Sequence, residues 1–166
     1  MYYHAVCTSP LGEIGLVCSE SALVALWLPG QREFTGETVS EDHPVLNRSI
    51  RWLERYFSGQ APDPNELPLE LHGSPFQTLC WELLLQIPYG TSRTYGDLAK
   101  DAAKKLGIPR MSPQAVGRAV GANPIAIIVP CHRCLGSGGA LTGYAGGLHL
   151  KRQLLSLERI PYKEAP

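Results

Sequence analysis

The apolar run Ile125-Ala126-Ile127-Ile128-Val129 stops at Pro130 and is followed at once by Cys131-His132-Arg133. Such a run reads as strand-like, and a proline at its end halts the ladder and delivers the next side chain to the edge of the fold. What it delivers is a thiol with an imidazole beside it. A nucleophilic cysteine needs a nearby base or cation to populate the thiolate, the form that attacks. The alternative is a Cys and a His adjacent by chance, with the thiol buried as a small hydrophobe.

A chain of 166 residues, 44% hydrophobic and 18% charged, has the composition of a globular protein with a real core, in one domain or two small ones. No apolar stretch approaches the roughly 20 residues that span a bilayer, so no membrane partner is expected. The N-terminus lacks a basic segment followed by an apolar one, so no signal peptide is expected either. Five cysteines (Cys7, Cys18, Cys80, Cys131 and Cys134) make an odd count. They read as free thiols in a reducing cytosol, and a cytoplasmic location is expected, nucleoid-associated in a prokaryote.

The zero net charge hides a split. Residues 1–70 hold four Lys/Arg against ten Asp/Glu, while residues 71–166 hold eleven against five. A basic half is what a phosphate-binding surface requires, although an ordinary solvated face has the same signature.

The first 30 residues read as a three-stranded meander: Tyr2 to Thr8, a turn at Ser9-Pro10-Leu11-Gly12, an alternating stretch Glu13 to Cys18, then Ala22 to Leu28 before Pro29-Gly30. Residues 31–43 look like loop. Val45, Leu46, Ile50, Leu53, Tyr56 and Phe57 recur at helical spacing, with Gly59 as the stop. The proline-rich stretch Gln60 to Pro68 predicts a linker, dividing the chain into domains 1–70 and 71–166. The second half is helical. Ser74-Pro75 opens one helix, Thr94 caps a second running through Lys105, and Ser112-Pro113 opens a third, Gln114 to Ala122. Two short helices joined by a turn, the second rich in small residues, suggest a helix-turn-helix, though such residues also serve close packing. A glycine-rich loop, 136–147, precedes a last amphipathic helix, Leu148 to Arg159.

Asn123-Pro124, the apolar run, Pro130-Cys131-His132-Arg133, Thr142-Gly143-Tyr144-Ala145-Gly146-Gly147-Leu148 and Leu154-Leu155-Ser156-Leu157-Glu158 together resemble the O6-alkylguanine-DNA alkyltransferases. Phe76-Gln77 through Trp81, Ile87-Pro88-Tyr89-Gly90, Thr94-Tyr95-Gly96-Asp97-Leu98-Ala99 and the opening Ser9-Pro10-Leu11-Gly12 extend the match over nearly the whole chain. The resemblance implies an α+β protein. Its N-terminal α/β domain would carry a small antiparallel, ribonuclease H-like sheet, and its helical C-terminal domain a helix-turn-helix of winged-helix type. It implies a monomer that repairs duplex DNA carrying O6-alkylguanine, and O4-alkylthymine, by irreversible single-turnover transfer of the alkyl group to its own cysteine, without cofactor or metal.

The same resemblance assigns roles. Cys131 is the nucleophile. His132 cannot face it squarely, because adjacent side chains point apart, so a water-bridged contact is implied. Glu158 orients and charges the imidazole, and Asn123 hydrogen-bonds the active-site turn. Tyr95 donates to the purine as the base leaves, Tyr144 walls the base pocket, and Ala145, where some relatives carry serine, offers its backbone N–H to O6. Reaching a stacked base requires flipping it, at a cost of a few kcal/mol. The relatives place an arginine in the vacated space, and here that position is Gln114, with Arg118 one turn later. Gln114, Ala115, Arg118 and Arg133 are the expected DNA contacts.

Cys134 stands where relatives usually have an aliphatic residue, and it is expected beside the substrate. It also creates a C-x-x-C pattern, hence a rival reading as a thiol redox centre. A DNA-binding protein of the same fold without chemistry, and a cysteine hydrolase, are further alternatives. His4, Cys7, Cys18 and His43 do not fall on the positions where some relatives bind structural zinc.

Overall fold

The computed structural model describes residues 1–144 and 147–164. Its contacts divide the chain into two units, Met1–His72 with Pro124–Ala126, and Gly73–Asn123 with Ile127–Pro166.

In the first unit β1 (Tyr3–Ser9), β2 (Gly12–Cys18) and β3 (Leu23–Trp27) form the expected meander, each strand antiparallel to the next. A fourth strand, β4 (Val39–Ser40), corrects two expectations: the sheet is mixed rather than antiparallel, and the stretch 31–43 is not all loop. β4 runs parallel to β1 and gives the order β3-β2-β1-β4. The outer edge of β1 presents unpaired backbone groups, and a two-residue strand answers the first of them through Val39 N–H donating to the Tyr2 carbonyl at 3.0 Å. The alternation along 13–18 predicts one solvated face, yet Ile14 through Cys18 are all buried. β2 is central, and Val17, Val24 and Ala25 pack beneath Tyr2, Trp27 and Phe34. Gly15 leaves room for the Trp27 ring, which a Cβ would meet at 2.2 Å. Helix α1 (Pro44–Phe57) packs on this sheet and buries Val45, Leu46, Ser49, Trp52, Leu53 and Tyr56.

The second unit begins with α2 (Pro75–Leu85), started by a capping box between Ser74 and Gln77. The Trp81 indole N–H donates to the Ala119 carbonyl at 2.8 Å, tying α2 to α4 (Pro113–Gly121). A two-residue strand, β5 (Arg93–Thr94), leads into α3 (Tyr95–Leu106). β5 pairs in parallel with β6 (Cys134–Leu135), and β7 (Ala140–Leu141) does so with β8 (Lys163–Glu164). Helix α5 (Leu148–Leu157) lies between β7 and β8 in sequence and buries Leu150, Lys151, Leu154 and Leu155.

The run 125–129 is where the strand expectation fails. Ile125 makes a single bridge to Leu26, beside a hydrogen bond from Leu26 N–H to the Pro124 carbonyl, and the chain then turns. Ile127 adopts φ +68 while fully buried. A β-branched residue in the left-handed region costs about 1–3 kcal/mol and persists only where its surroundings over-determine it. The run is therefore a buried turn whose apolar content suits its burial, not a ladder.

Helix α3 starts at Tyr95 because Thr94 and Asp97 cap one another, with the Thr94 hydroxyl accepting from Asp97 N–H and the Asp97 carboxylate from Thr94 N–H, both at 3.0 Å. Replacing Thr94 by Ala is expected to lower the unfolding free energy by about 1 kcal/mol, measured by urea denaturation. A change within error would show that the cap does not hold Tyr95 in place.

Candidate active site

Pro130, at φ −83 and ψ 66, makes an inverse γ-turn in which Cys131 N–H donates back to the Val129 carbonyl at 2.8 Å. Asn123, at the end of α4, donates from Nδ2 to the same carbonyl at 2.8 Å. Asn123 is the residue that the resemblance assigns to this turn. Cys131–Arg133 then form one turn of 3-10 helix, and all three residues are buried.

Glu158, just past α5, is 3% exposed and gathers four groups. His132 Nε2 lies 2.5 Å from Oε2, Arg133 Nε donates to Oε1 at 2.8 Å and its second nitrogen to Oε2 at 3.3 Å, and Gly90 N–H donates to Oε1 at 3.0 Å. Arg133 also donates to the Ile87 carbonyl at 2.7 Å and lies over the Tyr89 ring. The motif 87–90 thus has a structural purpose: its backbone completes the shell around this ion pair.

The electrostatics follow. Burial pushes the Glu158 carboxyl up, but hydrogen bonding to His132 and the His132 and Arg133 charges outweigh it and hold the group at about 2. His132 is pushed the other way: burial lowers it, the Glu158 interactions oppose this, and the Arg133 and Lys151 charges lower it further. The two shifts pull against each other, since a charged imidazole would help to hold Glu158 down. Arg133 decides between them. Its guanidinium already neutralises Glu158, so the carboxylate stays ionised while His132 is a neutral ring at neutral pH. An ionised carboxylate only accepts, so the ring proton sits on Nε2 and the lone pair on Nδ1. This departs from the expectation of a charged imidazole and makes His132 a base in waiting.

Burial raises the Cys131 thiol, opposed by hydrogen bonds with Asn123 and Tyr144 and by the Lys151 charge. At rest the sulfur therefore holds its proton. Burial and both thiols raise Tyr95, although its hydrogen bond with Thr142 opposes them, so its hydroxyl remains a donor. Cys134 is fully buried and pushed up to about 12, chiefly by burial.

A groove of about 500 Å³ opens along the start of α3 and α4, lined by Thr94–Gly96, Pro113, Gln114, Gly117 and the loop 136–138. Gly117 lies beside the Tyr95 ring, where an added Cβ would make only an ordinary contact at 3.8 Å. Gln114 is exposed, and its side-chain carbonyl accepts from the Ser112 hydroxyl at 3.0 Å. Arg118 is exposed and Ala115 half-buried on the same helix. The structure therefore brings together Cys131, His132, Glu158, Asn123, Tyr95 and Tyr144, and places Gln114 at the groove.

Two expectations are corrected by burial. Arg133, expected at the DNA, is 6% exposed with its guanidinium committed to Glu158 and Ile87. Cys134, expected to line the substrate site, shows no exposed surface. Ala145 lies outside the described residues. The sequence reading missed Lys151, a lysine with no exposed surface. Its signal was available: it lies three residues after Leu148 and three and four before Leu154 and Leu155, on the apolar stripe of α5. Among the described residues no group of His, Cys, Asp and Glu is arranged to hold a metal ion, and all five cysteines are free thiols.

Two family descriptions match the chain. One is the ribonuclease-like domain of 6-O-methylguanine DNA methyltransferase, over residues 1–71, and the other is the DNA-binding domain of that enzyme, over 75–160. The chain belongs to the 6-O-methylguanine DNA methyltransferase family. The methylated-DNA–protein-cysteine methyltransferase of Methanosarcina acetivorans is 41% identical over 94% of this chain and 97% of its own length. The constitutive Bacillus subtilis protein of that name is 38% identical over 99% of each. Among solved structures, Mycobacterium tuberculosis OGT in complex with DNA superposes with a TM-score of 0.80 at 39% identity, covering 95% of this chain and 92% of its own.

With its pKa depressed from 4.5 to about 2, Glu158 contributes stability that is present above pH 4.5 and lost as pH falls toward 2. That contribution is at most about 3 kcal/mol. Urea unfolding across this window is expected to show wild-type stability falling more steeply than that of Glu158→Gln by up to that amount. Parallel curves would mean that the carboxylate is not held ionised.

Proposed function

We propose that this protein repairs DNA by direct reversal, moving the alkyl group of O6-alkylguanine, and of O4-alkylthymine, irreversibly onto the sulfur of Cys131. The observation that carries this reading is a cysteine and a histidine on one buried 3-10 turn, with the histidine Nε2 held by Glu158. The names of the close relatives agree with it.

The chemistry is an in-line displacement at carbon. His132 takes the thiol proton, through water because neighbouring side chains diverge. The resulting thiolate then attacks the alkyl carbon. The S–C bond forms as the C–O6 bond breaks, and the electron pair passes into the purine. Tyr95 donates a proton to the leaving base, so guanine departs neutral. The product is a thioether, which offers no leaving group, and the protein therefore reacts once. Asn123 fixes the turn and Tyr144 walls the base.

Duplex DNA lies along α3 and α4, read here as a helix-turn-helix of winged-helix type, with the first unit a ribonuclease H-like fold. The residues that meet DNA are Gln114, Ala115 and Arg118 around the groove, Gln114 filling the gap left by the flipped base. The protein acts as a monomer in the cytoplasm, with residues 1–70 as the N-terminal domain and 71–166 carrying the DNA surface and the acceptor. The rival redox reading needs a depressed thiol pKa. Cys134, the second thiol of the C-x-x-C pattern, has no exposed surface and is pushed up to about 12 instead.

The test is intact mass and peptide mapping after incubation with a duplex bearing O6-methylguanine. One methyl per chain on Cys131, with guanine restored and no turnover, is expected. Methyl on another residue, or catalytic release, would overturn the assignment. Cys131→Ser is expected to abolish transfer and leave DNA affinity unchanged. Tyr95→Phe is expected to slow single-turnover transfer by roughly a hundredfold, the scale of a lost proton donor, with affinity again unchanged. An unaffected rate would remove Tyr95 from the mechanism.

A further inference from the structure

Lys151 has no exposed surface, and its ammonium donates to three backbone carbonyls: Cys134 at 2.7 Å, Thr142 at 2.8 Å and Gly143 at 3.3 Å. The first lies immediately after the turn that holds Cys131. The other two immediately precede Tyr144. The ammonium also sits 5.8 Å from the centre of the Tyr95 ring, within range of a cation–π contact. One side chain on α5 thus reaches the segment after the acceptor turn, the wall of the base pocket and the proton donor.

Its charge is unusual in being unanswered by an acid. Glu158 is taken by His132 and Arg133, and among the described residues no carboxylate pairs with Lys151. A buried cation needs counter-charge or a full set of hydrogen bonds. Here three carbonyl dipoles satisfy the protons, and the nearby groups able to turn negative are the thiols of Cys131 and Cys134 and the Tyr95 hydroxyl. Burial depresses the lysine while these thiols raise it. A leucine would pack on this stripe of α5 at less cost, so a lysine there asks for a use beyond stability.

We propose that Lys151 is a positioning residue for the transfer: it clamps the loop before Tyr144 to the segment that follows the acceptor turn and keeps a positive charge beside the acceptor site as Cys131 ionises. The inference rests on Cys131 being the acceptor. The titratable groups around this cation are Cys131 and His132 on the turn, Cys134 on β6 and Tyr95 on α3. Cys131, His132 and Tyr95 all exchange protons in the proposed reaction, and Cys131 is the one whose ionised form attacks.

The experiment compares wild type, Lys151→Met and Lys151→Arg by single-turnover methyl transfer across pH 6 to 9, with DNA affinity measured alongside. Removing the cation raises the thiol, so less thiolate forms at neutral pH. Lys151→Met is expected to transfer at least tenfold more slowly there, with the acid limb of the profile moved to higher pH and affinity unchanged. Lys151→Arg is expected to return that limb toward wild type. A Lys151→Met profile that is unchanged, or lowered equally at every pH, overturns the proposal. Wild-type protein labelled with ¹⁵N-lysine gives a readout that no folding defect can obscure. A slowly exchanging ammonium resonance that moves when Cys131 is methylated supports the proposal, and a resonance that stays fixed overturns it. If wild type takes its methyl elsewhere, the acceptor assignment fails. If wild type is methylated on Cys131 and Lys151→Met matches it, only the role of Lys151 fails.

Discussion

A single buried carboxylate organises the reactive part of this protein. Glu158 receives the His132 imidazole, two nitrogens of Arg133 and the Gly90 N–H, and the His132 and Arg133 side chains are themselves buried. Deleting one partner of such an arrangement leaves an uncompensated buried charge, which costs about 3–5 kcal/mol. That cost gives the arrangement its geometric authority. The turn carrying Cys131, the motif 87–90 and the end of α5 must all come to one place, because the carboxylate would otherwise be exposed to the low dielectric alone.

The division of labour around that carboxylate follows from charge counting. One negative group faces one permanent cation, Arg133, and one titratable ring, His132. Arg133 satisfies the charge, so the histidine is released from doing so and keeps its lone pair. A cysteine that burial holds protonated therefore sits beside a base that burial holds neutral. The pair is stable at rest and becomes reactive only when a proton moves. A resting thiol suits a protein that can react once, because a permanently ionised sulfur would be open to any electrophile small enough to enter.

Much of the fold was legible in local pattern. The three-strand meander, the helix from Pro44 and the serine and threonine caps at 74, 94 and 112 appear where turn residues and periodicity put them. These features depend on neighbours within a few residues, so sequence carries them. The misses share one cause. β4, the continuous burial of β2 and the turn at Ile127 depend on what packs from elsewhere in the chain. Of the site residues, Cys131, His132, Glu158, Asn123, Tyr95 and Tyr144 were legible through motif, and the structure brings them together. The motif makes Arg133 an expected DNA contact and Cys134 an expected neighbour of the substrate, because adjacency to a reactive cysteine says nothing of burial. Burial of Lys151 likewise depends on what folding packs around α5.

Sequence by itself determined the helices, the three-strand meander, the candidate nucleophile and the family to which the chain belongs, because propensity, spacing and motif are all written in the order of residues. Only the tertiary structure decided the states of those groups. Whether a thiol is ionised, a histidine neutral or a lysine buried depends on desolvation and on charges brought close by folding. Glu158 lies 25 residues from Arg133 in the chain yet 2.8 Å away in space. Electrostatic energy depends on that second distance and on the dielectric around it, and neither is encoded locally.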